Sequence, residues 1–145
     1  LLAEAARQAK APDAAALAAR AKFPTPQELA RTLADADAAL KARNWGNAIA
    51  AYERILAVTD GKNPLVLNNM AFAHDQVGNK QVALGYAERA LKQASQNASV
   101  MDTVGWLLVQ TGGDKARALQ LLRGASAKAP ANATIQAHLQ AAERG

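Results

Sequence analysis

From Pro26 onward, apolar residues recur three and four positions apart, in runs broken by short polar intervals. Met101, Val104, Gly105 and Leu108 make one such stripe, and Leu67, Met70, Ala71 and His74 make another. Strand-like alternation and long runs of Val, Ile or Thr are absent. The stop and start signals fit helices. Asn63, Asn97 and Asn132 stand where an N-cap belongs, and Pro64 follows its cap at the first helical position, where a missing N–H costs nothing. Thr25-Pro26-Gln27-Glu28 has the form of a capping box. Gly78-Asn79 and Gly112-Gly113-Asp114 are placed to stop one helix and cap the next. The pattern predicts helices over 26–43, 46–58, 64–77, 80–94, 98–111, 115–128 and 133–143, with 1–10 and 13–22 as the remains of a further pair.

These elements repeat. Asn63 recurs as Asn97 and Asn132, Ala71 matches Gly105, Gly78 matches Gly112, and Ala48-Ile49 returns as Ala83-Leu84 and Ala118-Leu119. The interval is 34 to 35 residues, one helix pair per pass. The chain divides into a partial pair (1–25), repeats at 26–62, 63–96 and 97–131, and a capping helix in 132–145. In that last helix Ile135 and Leu139 are expected inward, with Gln136, Gln140, Glu143 and Arg144 at polar positions.

In their order these residues resemble the tetratricopeptide repeat family. Met101, Val104-Gly105, Leu108, Ala118, Leu122 and Pro130 fill its pattern in the last repeat, with one extra residue in the turn. Leu67, Met70-Ala71, His74, Ala83 and Ala87 fill it in the middle one, where Ser95 replaces the closing Pro. The first repeat fits through Ala48 and Tyr52, but Asp35 stands where Leu is usual and Arg43 takes the place of the turn Gly. The resemblance covers 26–143 and implies an all-α, right-handed superhelix of antiparallel helix pairs, capped by the final helix. More finely, the stretches LNNMAFA, MDTVGWLL and IQAHLQAAE resemble repeat-rich lipoproteins of bacterial exopolysaccharide export and exosortase-linked systems. That likeness implies a longer parent protein with a periplasmic or outer-membrane-associated address; without it, the cytoplasm is the alternative.

Gly105 raises a question of its own, because glycine inside a helix costs about 1 kcal/mol relative to alanine. A cofactor glycine would follow a strand in a richer glycine motif, and neither is present. Ala36 and Ala71 hold the equivalent slot, so the requirement is small size where this helix crosses helix 115–128.

The next face round is the candidate binding surface. In the tetratricopeptide family this face of each first helix lines a concave groove for peptides or helices. Here the resemblance places Lys41 in the first repeat, Asn68, Asn69, Phe72 and Gln76 in the middle one, and Asp102, Trp106 and Gln110 in the last. Aromatic anchors among amides and carboxylates suit an extended segment. The other reading is that Trp106 and Phe72 pack against neighbouring repeats or a missing N-terminal element.

Composition adds limits rather than a mechanism. The 145 residues suffice for one domain, carry a formal net charge of +5, and include no cysteine, so disulfides and thiolate chemistry are excluded. The basic residues are scattered, a solvated face rather than a nucleic-acid footprint. No apolar stretch reaches membrane-spanning length, and LLAEAARQAK lacks a signal-peptide layout.

His74 falls in a core slot; His138 has no cysteine and no acidic pair spaced to share a metal with it. TGGDK lacks the spacing of a phosphate loop, and Asp35 and Asp37 point to different faces. The expectation is a non-catalytic scaffold with no cofactor and no metal, taking a protein or peptide in its groove. The alternatives are a structural spacer within a longer solenoid, in an export or assembly system, and more remotely a basic nucleic-acid-binding array.

Overall fold

The computed structural model describes residues 24–145; the helix pair expected within 1–25 lies almost wholly outside them. Seven helices follow in order: α1 (Pro26–Lys41), α2 (Trp45–Val58), α3 (Pro64–Gln76), α4 (Lys80–Gln93), α5 (Ala98–Thr111), α6 (Lys115–Lys128) and α7 (Ala133–Arg144). No strand occurs among the described residues. The bounds fall within two residues of those read from the pattern. Helices α1 and α2, α3 and α4, and α5 and α6 pack as pairs, consecutive pairs stack, and α7 closes the last pair against both α5 and α6.

The caps explain why the boundaries were legible. Thr25 and Glu28 form the reciprocal capping box, Thr25 Oγ1 accepting from the Glu28 N–H at 3.1 Å and Glu28 Oε1 from the Thr25 N–H at 2.8 Å. Asn63 Oδ1 accepts from the N–H groups of Leu65 and Val66 at 2.9 and 3.2 Å. Asn97 and Asn132 do the same for Val100 and Ile135 at 3.1 and 3.0 Å. Asp114 caps α6 through the Arg117 N–H at 3.1 Å. Asn79 departs from expectation: its side chain makes no cap bond, and its amide lies 3.4 Å from His74 Nδ1 instead.

Each turn inside a pair uses one device. The residue after the helix C-cap region takes positive φ, at Arg43 (62°), Gly78 (89°) and Gly112 (71°). The following N–H then reaches back to the carbonyl five residues earlier, Asn44 to Ala39, Asn79 to His74 and Gly113 to Leu108, at 2.8, 2.9 and 2.8 Å. Arg43 therefore occupies a left-handed site that its two counterparts fill with glycine.

The core runs along the array as a row of small residues between larger ones. Ala36, Ala48, Ala71, Ala83 and Ala118 are all fully buried, with Tyr52, Met70, Val104 and Leu122 among them. At the α5–α6 crossing even alanine is too large. A Cβ on Gly105 would stand 2.8 Å from Leu122 Cγ and 3.1 Å from the Ala118 carbonyl oxygen. One is a branch point and the other backbone, so neither gives easily. The packing role expected for Gly105 is the one observed. His74 is buried, as the core slot requires, and its ring stacks on Tyr86 at 5.5 Å between centroids.

Substitutions at two positions test these contacts in opposite directions. Gly105→Ala is expected to destabilise by about 1–3 kcal/mol in urea melts, despite alanine's better helix propensity, with Gly105→Leu worse; a melt matching the parent would remove the close crossing. Arg43→Gly is expected to stabilise by roughly 1 kcal/mol, because it relieves the left-handed backbone without removing a buried contact; a lowered melting temperature would contradict that.

Candidate functional site: an aromatic cleft between α3, α5 and α7

On α5, Asp102 and Trp106 lie one turn apart, on the face turned from the Met101–Leu108 stripe that seals the helix pair. The N-cap at Asn132 sets the phase of α7, whose buried Ile135 and Ala142 hold it to the array. His138, between them, therefore meets α5. Its imidazole stacks on the Trp106 indole with centroids 4.3 Å apart and planes 9° from parallel. His138 Nδ1 lies 2.8 and 3.1 Å from the two Asp102 carboxylate oxygens. Asp102 is only 9% exposed, so its charge is held largely out of water and depends on this partner. Gln136 ties the same helix to α6, accepting from Ser126 Oγ at 2.7 Å and donating to the Ala129 carbonyl at 3.3 Å.

Across from this cluster stands α3. Phe72, Asp75, Gln76, Asp102, Trp106 and His138 line a cleft of about 200 Å³, with Thr103, Leu107 and Thr134 completing it. Phe72 is 45% exposed, and its ring meets Trp45 edge-on at 5.6 Å between centroids. Asp75 is ion-paired with Lys80. Leu65 and Leu33 also face solvent, Leu65 two helical turns before Phe72 and Leu33 on α1.

Of the candidate site residues, the structure gathers Phe72, Gln76, Asp102 and Trp106 in this cleft. Asn69 is drawn into a different network: its amide donates to the Tyr52 hydroxyl at 3.2 Å, and Tyr52 donates to Asp37 at 2.5 Å. Tyr52 is fully buried, and that burial, followed by the Asp37 hydrogen bond, holds its phenol protonated well above the ordinary tyrosine range. Asn68 and Gln110 do not line the cleft, and their Oδ1 and Nε2 atoms are buried with no hydrogen-bond partner among the described residues. Lys41 is exposed at the end of α1, outside the cleft.

Trp106 lines the cleft while one neighbouring element, α7, covers part of it. The spacing around His138 speaks only against a metal site, and its pairing with Asp102, 36 residues earlier, is a feature of the tertiary structure. The repeat register held the signal: counted from Asn132, His138 occupies the slot that Asn69 holds counted from Asn63. No group of three His, Cys, Asp or Glu side chains that could hold a metal ion occurs among the described residues, and no helix among them is long and apolar enough to cross a membrane.

The His138 contact is testable by itself. In a Trp45→Phe background, His138→Ala is expected to increase acrylamide quenching of Trp106. It should also cost about 1–3 kcal/mol of stability, because the buried Asp102 carboxylate loses its donor. Unchanged quenching would mean that the imidazole does not shield the indole.

No family model and no curated protein matches this chain. Solved structures do. The tetratricopeptide repeat domain of Sgt2 from Aspergillus fumigatus superposes with a TM-score of 0.71 at 20% identity, covering 84% of this chain and 80% of that one. The corresponding domain of Arabidopsis OM64 gives 0.72 at 19% identity, covering 81% and 96%. The second such domain of human RPAP3, solved with the HSP70 peptide SGPTIEEVD, gives 0.70 at 19% identity, covering 82% and 98%. At these identities the likeness concerns architecture, and the described helices have the fold of a tetratricopeptide repeat domain.

Proposed function

We propose that this chain is a non-catalytic interaction scaffold, which binds an extended segment of another protein along the face formed by α1, α3 and α5. The observation that carries the reading is the cleft beneath Phe72. A phenylalanine ring 45% exposed on a rigid helix, beside a half-buried tryptophan and several hydrogen-bonding side chains, is the make-up of an anchor pocket for a side chain. At about 200 Å³ the cleft is smaller than the roughly 300–1,000 Å³ of small-molecule sites, which favours one inserted side chain over a cofactor. The structural neighbours support the same class of activity, since the RPAP3 domain was solved with a bound peptide and the TPR2B domain of yeast Sti1 in a complex with pHsp70. The stretches LNNMAFA, MDTVGWLL and IQAHLQAAE extend the proposal to a segment of a longer bacterial export protein, and they alone support that extension.

The test starts from a random peptide display selected on the full chain. The enriched peptides are then titrated against the parent, Phe72→Ala, and Val82→Ala as a control on exposed α4 surface. Phe72→Ala is expected to lose about 2 kcal/mol of affinity with little change in thermal stability, while Val82→Ala binds as the parent does. Peptides that bind the parent and Phe72→Ala equally would count against the groove.

A further inference from the structure

In the second and third repeats the charges are sorted by helix, whereas α1 mixes Arg31 and Lys41 with Glu28, Asp35 and Asp37. α3 carries Asp75 and α5 carries Asp102, and neither helix contains a lysine or an arginine. On α7 the sole cation of the Lys or Arg type is Arg144, at its last residue beside Glu143. The second helices of these two pairs are the reverse, while α2 is balanced by Glu53 and Arg54. α4 holds Lys80, Arg89 and Lys92 against Glu88, and α6 holds Lys115, Arg117, Arg123 and Lys128 with no acidic residue. A chain whose formal charge is +5 thus keeps its cleft free of fixed cations other than Lys80, which Asp75 engages.

From this sorting, and resting on the groove reading above, we infer that the segment bound at the cleft is cationic, with a Lys or Arg side chain entering between Phe72 and Trp106 toward Asp102. Two aromatic rings beside a carboxylate form a site for a cation, through the ring quadrupoles and a charge-assisted hydrogen bond. The single His138 N–H leaves Asp102 with acceptor capacity to spare, because a carboxylate has about four lone-pair sites. The neutral lining of Gln76, Thr103 and Thr134 adds hydrogen-bonding groups without opposing charge. Like-charge contact penalises wrong partners strongly, so a peptide such as SGPTIEEVD, which presents three carboxylate side chains in the RPAP3 complex, is the kind this cleft selects against. The acidic lining matches a basic ligand, and the basic α4 and α6 surfaces keep that ligand from docking there.

The test uses the full chain and two short capped peptides labelled with a fluorophore. One alternates Leu or Phe with Lys or Arg; the other is identical except that Glu replaces every cation. Binding is followed by fluorescence anisotropy at low and moderate salt, with Phe72→Ala and Asp102→Asn as variants. The expected result is that the cationic peptide binds more tightly than its Glu counterpart, more weakly as salt is raised, and about tenfold more weakly to either variant. If the Glu peptide is the one whose binding depends on Phe72, the groove stands and the cationic inference falls. If neither peptide depends on Phe72, both fall together. One further variant neutralises Arg7, Lys10, Arg20 and Lys22 as Gln. Should it bind the cationic peptide far more tightly than the parent, the occupant is the chain's own N-terminal segment, and the assignment to a separate partner is overturned.

Discussion

The close crossing within each helix pair is the constraint on which the rest of this molecule depends. Where α5 meets α6, the Gly105 backbone lies so near Leu122 and the Ala118 carbonyl that no Cβ fits. Buried Ala36 and Ala71 serve the equivalent positions on α1 and α3, and Ala48, Ala83 and Ala118 are buried on the helices opposite. Small residues on both sides bring the backbones together, which sets the tilt of each pair and therefore how the next one stacks. Large side chains on the same stripes are free to fill the spaces between repeats. Tyr52, Met70 and Val104 do so without exposure.

Between repeats, the ties are polar and specific. Asp37, Tyr52 and Asn69 form a chain of hydrogen bonds from α1 through α2 to α3. Arg117 makes a two-pronged bond to Glu88 at 2.6 and 2.8 Å, joining α4 to α6. Asp102 and His138 join α5 to α7. Arg117 and Glu88 are partly solvated and of modest energetic weight. The Tyr52 and Asp102 contacts are buried, where a lost partner leaves an unsatisfied group and the penalty is larger. They fix the register of one repeat on the next, and so the relative placement of the side chains that face the groove. On the proposed reading, rigidity at these points leaves an exposed ring such as Phe72 little conformational freedom to lose on binding.

The groove inherits its chemistry from that division of labour. First helices of the pairs spend one stripe on the crossing and leave the adjoining stripe off it, and in the second and third repeats the residue one position beyond the small-residue slot lines the cleft. Phe72 follows Ala71 and Trp106 follows Gly105 in this way. In the first repeat Asp37 follows Ala36 and is turned to the buried Tyr52 hydroxyl instead. The aromatic character of the surface is therefore concentrated toward the C-terminal half, where α7 also contributes His138 and Thr134.

Helices, their caps and their pairing were legible in the sequence, because each depends on residues within a few positions of one another. A 3.6-residue stripe, an asparagine before a helix and a glycine after a stripe act locally, and each of them recurs in register. The small-residue requirement at Gly105 was legible for the same reason: two other repeats filled its slot with alanine. The candidate surface was legible as a face rather than as a pocket. Phe72 and Trp106 could be placed on one stripe, but the stacking of His138 on Trp106 joins residues 32 positions apart across two helices, and nothing local encodes that distance. Asn69 shows the converse: a side chain on the groove edge by periodicity is claimed by Tyr52, 17 residues away in sequence. Local periodicity determined which way each helix faces; only the stacking of the pairs decided which of those outward residues meet, since contact across repeats depends on crossing angle and depth that no short window of sequence contains.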